Sequence, residues 1–459
     1  MTTKTFPADF VWGAAAASYQ IEGAAYADGK GLSVWDRMCR YENAVSEKDT
    51  GDIACDHYHR YREDVALMGS LGLKAYRLSI SWPRVLPGGT GAVNAAGLDF
   101  YDRLVDALLE QNIAPWVTLF HWDFPYALYQ KGGWLNPDAP YWFAEYAGIL
   151  AEKLGDRVTH WMTQNEPQVY LGLGHQYGIH APGLKLDFSE VLVATHHSLL
   201  AHGRAVQALR AQAPRELLIG AAPVSQIGIP ASETEADIEA ARRFTFGFKD
   251  KNLWVHSWYA DPMLKGHYPE EGLTAFAEFL PSIKEEDFAV IHQPLDFFGF
   301  NCYNGTVVRA ADCETGFAAV PYPTGGPRTS MDWTVTPEAL RWGPRFLHER
   351  YGLPLVVTEN GLANNDWVAL DGKVHDPQRI DFLRRHLRAF HQAIEDGIPC
   401  LGYFQWSIMD NFEWAEGYRK RFGLVFVDYQ TQERIPKDSA YWYRDVIASG
   451  GAKVFSNEI

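Results

Sequence analysis

"VTHWMTQNEP", residues 158–167, decides the fold. It opens as a short apolar run of strand character and turns abruptly polar at Asn165 and Glu166. Pro167 then ends it, because proline has no N–H to give to a ladder. A strand this short and apolar, with helical sequence on either side, is covered on both faces, as strands of parallel sheets are. Seven further segments repeat the pattern: "FVWGAAAASYQ" (10–20), "AYRLSISW" (75–82), "PWVTLFHWD" (115–123), "LLIGAAPV" (217–224), "DFFGFNCY" (296–303), "LPLVVTEN" (353–360) and "LGYFQWSIMD" (401–410).

Helical periodicity fills the intervals. "HYHRYREDVALMGSLG" (57–72) carries Tyr58, Tyr61, Val65 and Met68 at helical spacing, with Asp56 as the expected N-cap. "LDFYDRLVDALLEQN" (98–112) is the next helix. "DPQRIDFLRRHLRAFHQAIEDG" (376–397) starts from Asp376 as cap and Pro377 at the first helical position, and stops at Gly397. Its buried stripe is Ile380, Leu383, Leu387, Phe390 and Ile394. Eight strands alternating with helices predict an α/β fold, a single (β/α)8 TIM barrel over residues 1–459. Its extended loops lie at the C-terminal face, where such barrels carry their sites. A doubly wound open sheet would need a glycine-rich phosphate turn after the first strand, and "SYQIEG" is not one. The irregular stretch 310–337 reads as a loop bordering a site.

The chain of 459 residues holds 41 Lys and Arg against 57 Asp and Glu, a net charge of −16. That balance argues against nucleic acid or an anionic membrane surface as partner and suits a neutral small molecule. No apolar run of about 18 residues exists, so no membrane span is expected. The N-terminus lacks the basic region of a signal peptide. Five cysteines without CxxC spacing point to reduced thiols and a cytoplasmic location. A homo-oligomer is left open. Aromatics make up 14% of the chain, with 16 Trp; most will pack, but they also suit a pyranose, with its flat apolar faces and polar edges.

Most predicted strands end in groups that a sugar site needs: Gln20, Arg77, His121, Asn165 with Glu166, Asn301 with Tyr303, Glu359 with Asn360, and Trp406. A closed barrel gathers these ends around one mouth. Two of them are carboxylates, Glu166 and Glu359, and glycosidic bonds are cleaved by such a pair, one as general acid and the other as nucleophile or base. Arg77 and Tyr303 are placed to keep an attacking Glu359 ionised. Glu166 needs a drier setting to hold a proton, with Trp116, Trp122 and Trp161 as expected neighbours.

At these residues the chain resembles glycoside hydrolase family 1, the β-glucosidase family. The resemblance rests on "FVWGAAAASYQIEGA", "DGKGLSVWD", "YRLSISWPRVLP", "FHWDFP", "KGGW", "TQNEP", "GHQYGIHAPG", "DFFGFNCY", "VVTENG", "DNFEWAEGYRKRFG" and "VDY", spread over nearly the whole length. It implies Glu166 as acid/base and Glu359 as nucleophile of a retaining double displacement, with carboxyls ~5–5.5 Å apart. It also implies that Gln20, His121, Asn165 and Glu413 bind sugar hydroxyls, that Trp406 is a stacking platform, and that Trp414 contributes to hydroxyl recognition. Arg77 and Tyr303 match groups around the nucleophile. No cofactor and no metal is implied.

The expected activity is therefore exo-acting β-glucosidase on β-glucosides or cello-oligosaccharides, with β-galactosidase and β-fucosidase side activity and transglycosylation left open. A 6-phospho-β-glucosidase is the alternative, disfavoured because Glu413 would repel a phosphate dianion. A non-catalytic glycan-binding barrel is the other, disfavoured because both carboxylates are kept. Retention of Glu166 also speaks against a thioglucosidase, whose leaving group departs without protonation.

Four positions depart from the family's habit. Gln168 stands where tryptophan is common and predicts a leaving-group site built more on hydrogen bonds than on stacking. Gln164 replaces an apolar residue and is expected in the barrel interior or as a support of the site. Cys302 and Gln405 are expected to turn away from the mouth. His196, His197 and His202 read as an ordinary helix surface rather than a metal site. "GLGHQYG" (172–178) reads as a loop, and Arg419, Lys420 and Arg421 as solvated or structural.

Overall fold

The computed structural model describes residues 4–224, 226–248 and 251–456; the remaining positions of the expected 1–459 domain lie outside the described residues. Eight parallel strands close a barrel: β1 Val11–Ala16, β2 Ala75–Ser79, β3 Ala114–Phe120, β4 His160–Asn165, β5 Leu218–Ala222, β6 Phe297–Asn301, β7 Leu355–Asn360 and β8 Cys400–Trp406. Each pairs with its sequence neighbours, and β1 pairs β8, with Gly13 opposite Phe404 and Ala15 opposite Trp406. All eight strands read from the sequence are present, with ends that differ from the reading by a few residues.

Aromatic rings plug the floor of the barrel. Trp116 stacks on His160 at 3.9 Å and meets Phe297 and Phe404 edge-on or tilted at 5.3 and 5.1 Å. Two glycines make room for this plug. A Cβ at Gly13 would lie 2.5 Å from the Phe404 ring, and one at Gly220 2.5 Å from Phe297. Trp116 therefore serves the floor rather than the neighbourhood of Glu166. Trp161 is likewise committed elsewhere, donating Nε1 to the carbonyl of Val158. Of the three tryptophans expected near the acid, only Trp122 reaches the mouth.

Around the barrel lie the expected helices His57–Ser70, Ala95–Glu110 and Pro377–Glu395. Their predicted caps differ. Asp56 has left-handed backbone and bonds His59 at 2.5 Å instead of the helix N–H groups. The carboxylate of Asp376 accepts from the backbone and hydroxyl of Ser439 at 2.8 and 2.6 Å. Residues 310–337 are not wholly irregular: Phe317–Ala319 joins Gly305–Ala310 and Ile227–Pro230 in a three-stranded sheet outside the barrel. In the helix Phe188–Gln212, His196 and His202 are buried rather than on the surface, bonded to Tyr268 and Thr163 at 3.0 and 2.7 Å.

A buried ionic cluster ties together the two loops that follow β7 and β8. Lys437 Nζ lies 2.6 Å from Asp366 and 2.7 Å from Asp410. Arg379 pairs with Asp366 at 2.5 Å, and Arg421 with Asp410 at 2.7 Å. Lys437→Met leaves both carboxylates buried with one partner fewer, so it is expected to cost about 3 kcal/mol. The midpoint of chemical unfolding reads this out, and an unchanged midpoint would refute it.

Candidate active site

The strand ends converge as the barrel geometry requires, and nearly all of their polar atoms are committed to one another. Glu359, the penultimate residue of β7, accepts from Arg77 Nη1 at 2.5 Å and from the hydroxyl of Tyr303 at 2.6 Å. Arg77, on β2, also donates Nη2 to Asn165 Oδ1 at 2.6 Å. Asn301, at the end of β6, donates Nδ2 to Asn165 Oδ1 at 3.0 Å and to Glu166 Oε1 at 2.8 Å. One buried chain, Glu359–Arg77–Asn165–Asn301–Glu166, therefore links the two carboxyls across the mouth.

The two carboxyls sit in contrasting surroundings. Both oxygens of Glu359 face donors, one of them a cation. Glu166 receives one amide N–H, and burial together with the Glu359 carboxylate holds its pKa well above the usual carboxylate range. Such surroundings favour the protonated form of Glu166, while Glu359 is supplied with charge-compensating donors. Burial and the Glu359 charge also push the Tyr303 hydroxyl well up, so it remains a donor.

Beside the pair lies a polar and aromatic wall. Asn165 Nδ2 donates to His121 Nε2 at 3.1 Å, and burial with the nearby Arg77 charge lowers the His121 pKa, keeping the ring neutral. The His121 ring stacks between Trp406 and Trp414, at 5.7 and 5.9 Å. Gln20 donates Nε2 to Asn411 at 3.0 Å, to the carbonyl of Phe412 at 2.9 Å and to Glu413 at 3.4 Å. Its Oε1 is buried without a protein partner. Burial and the Glu359 charge push Glu413 up to about 8. At neutral pH that group is mostly protonated, so charge repulsion by Glu413 is weaker than its residue type suggests.

Local backbone strain marks the same place. Trp122, Glu166 and Trp414 are non-glycine residues with φ of 76°, 46° and 49°. Left-handed backbone costs about 1–3 kcal/mol per such residue and gathers where side chains must be aimed. At Glu166 it follows a register shift between Met162 and Asn165, which breaks strand alternation. The same shift explains Gln164, which leaves the barrel interior altogether. It donates to the carbonyl of Ser198 at 3.0 Å and accepts from Tyr170 at 3.1 Å, in the layer between barrel and helices.

Gln168 stands apart from the cluster. Its side chain is buried and donates Nε2 to the carbonyl of Val224 at 3.1 Å, while its Oε1, like that of Gln20, has no protein partner. Cys302 bonds the backbone carbonyl of Asn304, and Gln405 those of Trp406 and Phe422. Asn411 is the partner that strand-end reading missed. Asn411 lies beyond β8 and shows itself only through Gln20, whereas Trp122 follows His121 directly and donates Nε1 to the carbonyl of Asn165 at 2.9 Å. Among the described residues no group of three or more His, Cys, Asp or Glu is disposed to hold a metal ion, and no helix is long and apolar enough to cross a membrane.

A carboxyl of raised pKa and a donor-braced carboxylate at one aromatic-walled mouth form the kind of pair that cleaves a glycosidic bond. Known proteins are similar to this chain over nearly its whole length. Beta-glucosidase A of Thermotoga maritima is 47% identical over 455 residues, spanning 98% of this chain and 99% of its own. The 1,4-beta-D-glucan glucohydrolase of Thermotoga neapolitana is 47% identical over 449 residues, spanning 98% and 99%. The crystallised beta-glucosidase from Thermotoga maritima in complex with glucoimidazole superposes with a TM-score of 0.88 at 46% identity, covering 97% of this chain and 99% of that one. The profile of the family described as Glycosyl hydrolase family 1 matches residues 2–452, and with the barrel and its paired carboxyls already in place, the chain belongs to that family.

Proposed function

We propose that the protein is a retaining exo-β-glucosidase that releases terminal non-reducing β-D-glucosyl residues from small glucosides and cello-oligosaccharides. One observation carries the reading: the contrast between Glu166, buried with a raised pKa and one amide donor, and Glu359, held by Arg77 and Tyr303. In the first step an oxygen of Glu359 attacks the anomeric carbon. The bond to the aglycone breaks as Glu166 gives its proton to the departing oxygen. In the second step Glu166, now a carboxylate, takes a proton from water. The water oxygen bonds to the anomeric carbon, and the ester to Glu359 breaks. Two inversions give net retention, which places the carboxyls about 5–5.5 Å apart.

Gln20, His121, Asn165, Glu413 and Trp414 are assigned to the sugar hydroxyls, and Trp406 to the apolar face of the ring. The unpartnered Oε1 of Gln20 and the stack of His121 on both tryptophans support this assignment. Gln168, in the helix that follows β4, is assigned to the leaving-group side, where its unpartnered Oε1 can accept a hydrogen bond. A 6-phosphate is disfavoured on a different ground from the charge of Glu413. The site's cation, Arg77, is already committed to Glu359 and Asn165, so a buried dianion would go uncompensated. We take residues 1–459 as one domain. We place it in the cytoplasm, because all five cysteines are unpaired and four of them buried.

A series of aryl β-glucoside, its 6-phosphate, aryl β-galactoside and aryl β-fucoside tests the reading. Turnover is expected on the glucoside, with little on the phosphate. No turnover of any unphosphorylated substrate would refute the glycosidase reading, and preference for the phosphate would favour the alternative.

A further inference from the structure

Thr358, the residue before Glu359, has no part in the double displacement, yet its hydroxyl does not face outward as strand alternation would have it. It donates to Asn301 Oδ1 at 2.7 Å. Two features allow this. The pairing of β7 with β6 shifts register between Val357 and Glu359, which turns consecutive side chains toward the mouth. Gly299 beside it has no side chain; a Cβ there would stand 2.6 Å from the Thr358 methyl carbon.

We propose that Thr358 is a positioning residue for the acid/base: by fixing which way the Asn301 amide faces, it decides which oxygen of Glu166 carries the transferable proton. The proposal rests on the reading of Glu166 as acid/base. A primary amide has one accepting and one donating end. With Thr358 occupying the oxygen end, the NH2 end must face Glu166 Oε1 and Asn165 Oδ1, at 2.8 and 3.0 Å. Asn165 cannot relax this arrangement, because its Oδ1 already accepts from Arg77. Thr358, Asn301 and Asn165 are fully buried, so no bulk water substitutes for a lost partner. Glu166 Oε1 is thereby held as an acceptor, and the proton resides on Oε2, the oxygen left free for the glycosidic oxygen.

The charged and titratable groups facing Glu166 are Glu359 on β7, Arg77 on β2, and Glu413 and Tyr303 on the loops after β8 and β6. A substitution at Thr358 alters none of them. It frees the Asn301 amide to rotate and withdraws an N–H bond that favours the Glu166 carboxylate.

The test is kcat/KM against pH for an alkyl β-glucoside, whose poor leaving group needs the acid. Thr358→Val, nearly isosteric but without a donor, is expected to move the basic limb upward by about half a unit to one unit. Thr358→Ser, which keeps the donor, is expected to restore the wild-type limb. Overlapping Val and wild-type limbs, or a Ser variant that behaves like Val, would overturn the proposal. If Thr358→Val fails to reach the wild-type circular dichroism spectrum, Thr358→Ala makes the same comparison. Glu166→Gln on an activated aryl glucoside separates the two readings. If the basic limb persists there, the acid/base assignment fails; if it vanishes while Thr358→Val leaves its limb in place, only the role of Thr358 fails.

Discussion

Glu359→Gly is expected to lower kcat/KM on an aryl β-glucoside by about 10⁴-fold or more, a loss typical of removing a covalent nucleophile. The fold should persist, since a side chain at the rim of the barrel is lost and no helix or core layer depends on it. What remains is informative. Arg77 Nη1 and the Tyr303 hydroxyl, each donating to a different oxygen of Glu359, are left aimed at a vacated volume the size of a carboxylate. That volume is an anion site facing the anomeric carbon. Azide or formate added from solution should occupy it and attack the sugar directly, on the face opposite the leaving group. Activity then returns in proportion to anion concentration, and the product is the α-glycosyl adduct, because only one inversion occurs. Retained activity without added anion, or a β-adduct, would mean that Glu359 is not the nucleophile.

Glu166→Ala produces a different pattern, set by the leaving group. An alkyl glucoside needs a proton on its departing oxygen, so its kcat/KM should fall by about 10²–10⁴-fold. A dinitrophenyl glucoside leaves without help and should retain most of its glycosylation rate. The pH dependence supplies a second readout. Burial and the Glu359 carboxylate raise the Glu166 pKa, so activity is expected to be lost as pH rises through that raised value. In Glu166→Ala this basic limb should disappear on the activated substrate. Azide should now trap the glycosyl ester from the opposite side and give the β-adduct. Equal losses on both substrates, with the limb intact, would assign the proton donor elsewhere.

The barrel was readable because parallel strands covered on both faces must be apolar at nearly every position, and a polar residue then marks where each strand leaves the sheet. The same logic located Glu166, Glu359 and their partners on Arg77, Asn165, Asn301 and Tyr303. It failed where a tertiary contact outcompeted a local rule. Asp376 has the position of an N-cap, but Ser439 offers its carboxylate two donors that the helix cannot match. His196 and His202 sit on a helix whose sequence looks amphipathic at best, yet their rings are drawn inward by Tyr268 and Thr163. Gln164 and Thr358 were hidden for one shared reason. Period-two alternation assumes an unbroken ladder, and both lie at register shifts. The outer strand Phe317–Ala319 carries too few residues for a pattern to register.

Closure of the ring by β1 and β8 has a consequence for the life of the chain before it is complete. Gln20 finds its partners Asn411 and Glu413 at sequence separations of 391 and 393 residues. At a synthesis rate of roughly 5–20 residues per second, about 20–80 s pass between the emergence of the two halves of that contact. Throughout that interval the first strand has one lateral partner, and the amide of Gln20 has nothing in the protein to hold it. The wall assigned to the sugar therefore stays incomplete until the segment after β8 has emerged. A nascent chain can fold most of its helices and strands while remaining unable to grip a glucosyl ring. A product that ends short of the "DNFEW" segment is therefore expected to lack the proposed sugar site outright rather than to carry a weakened one.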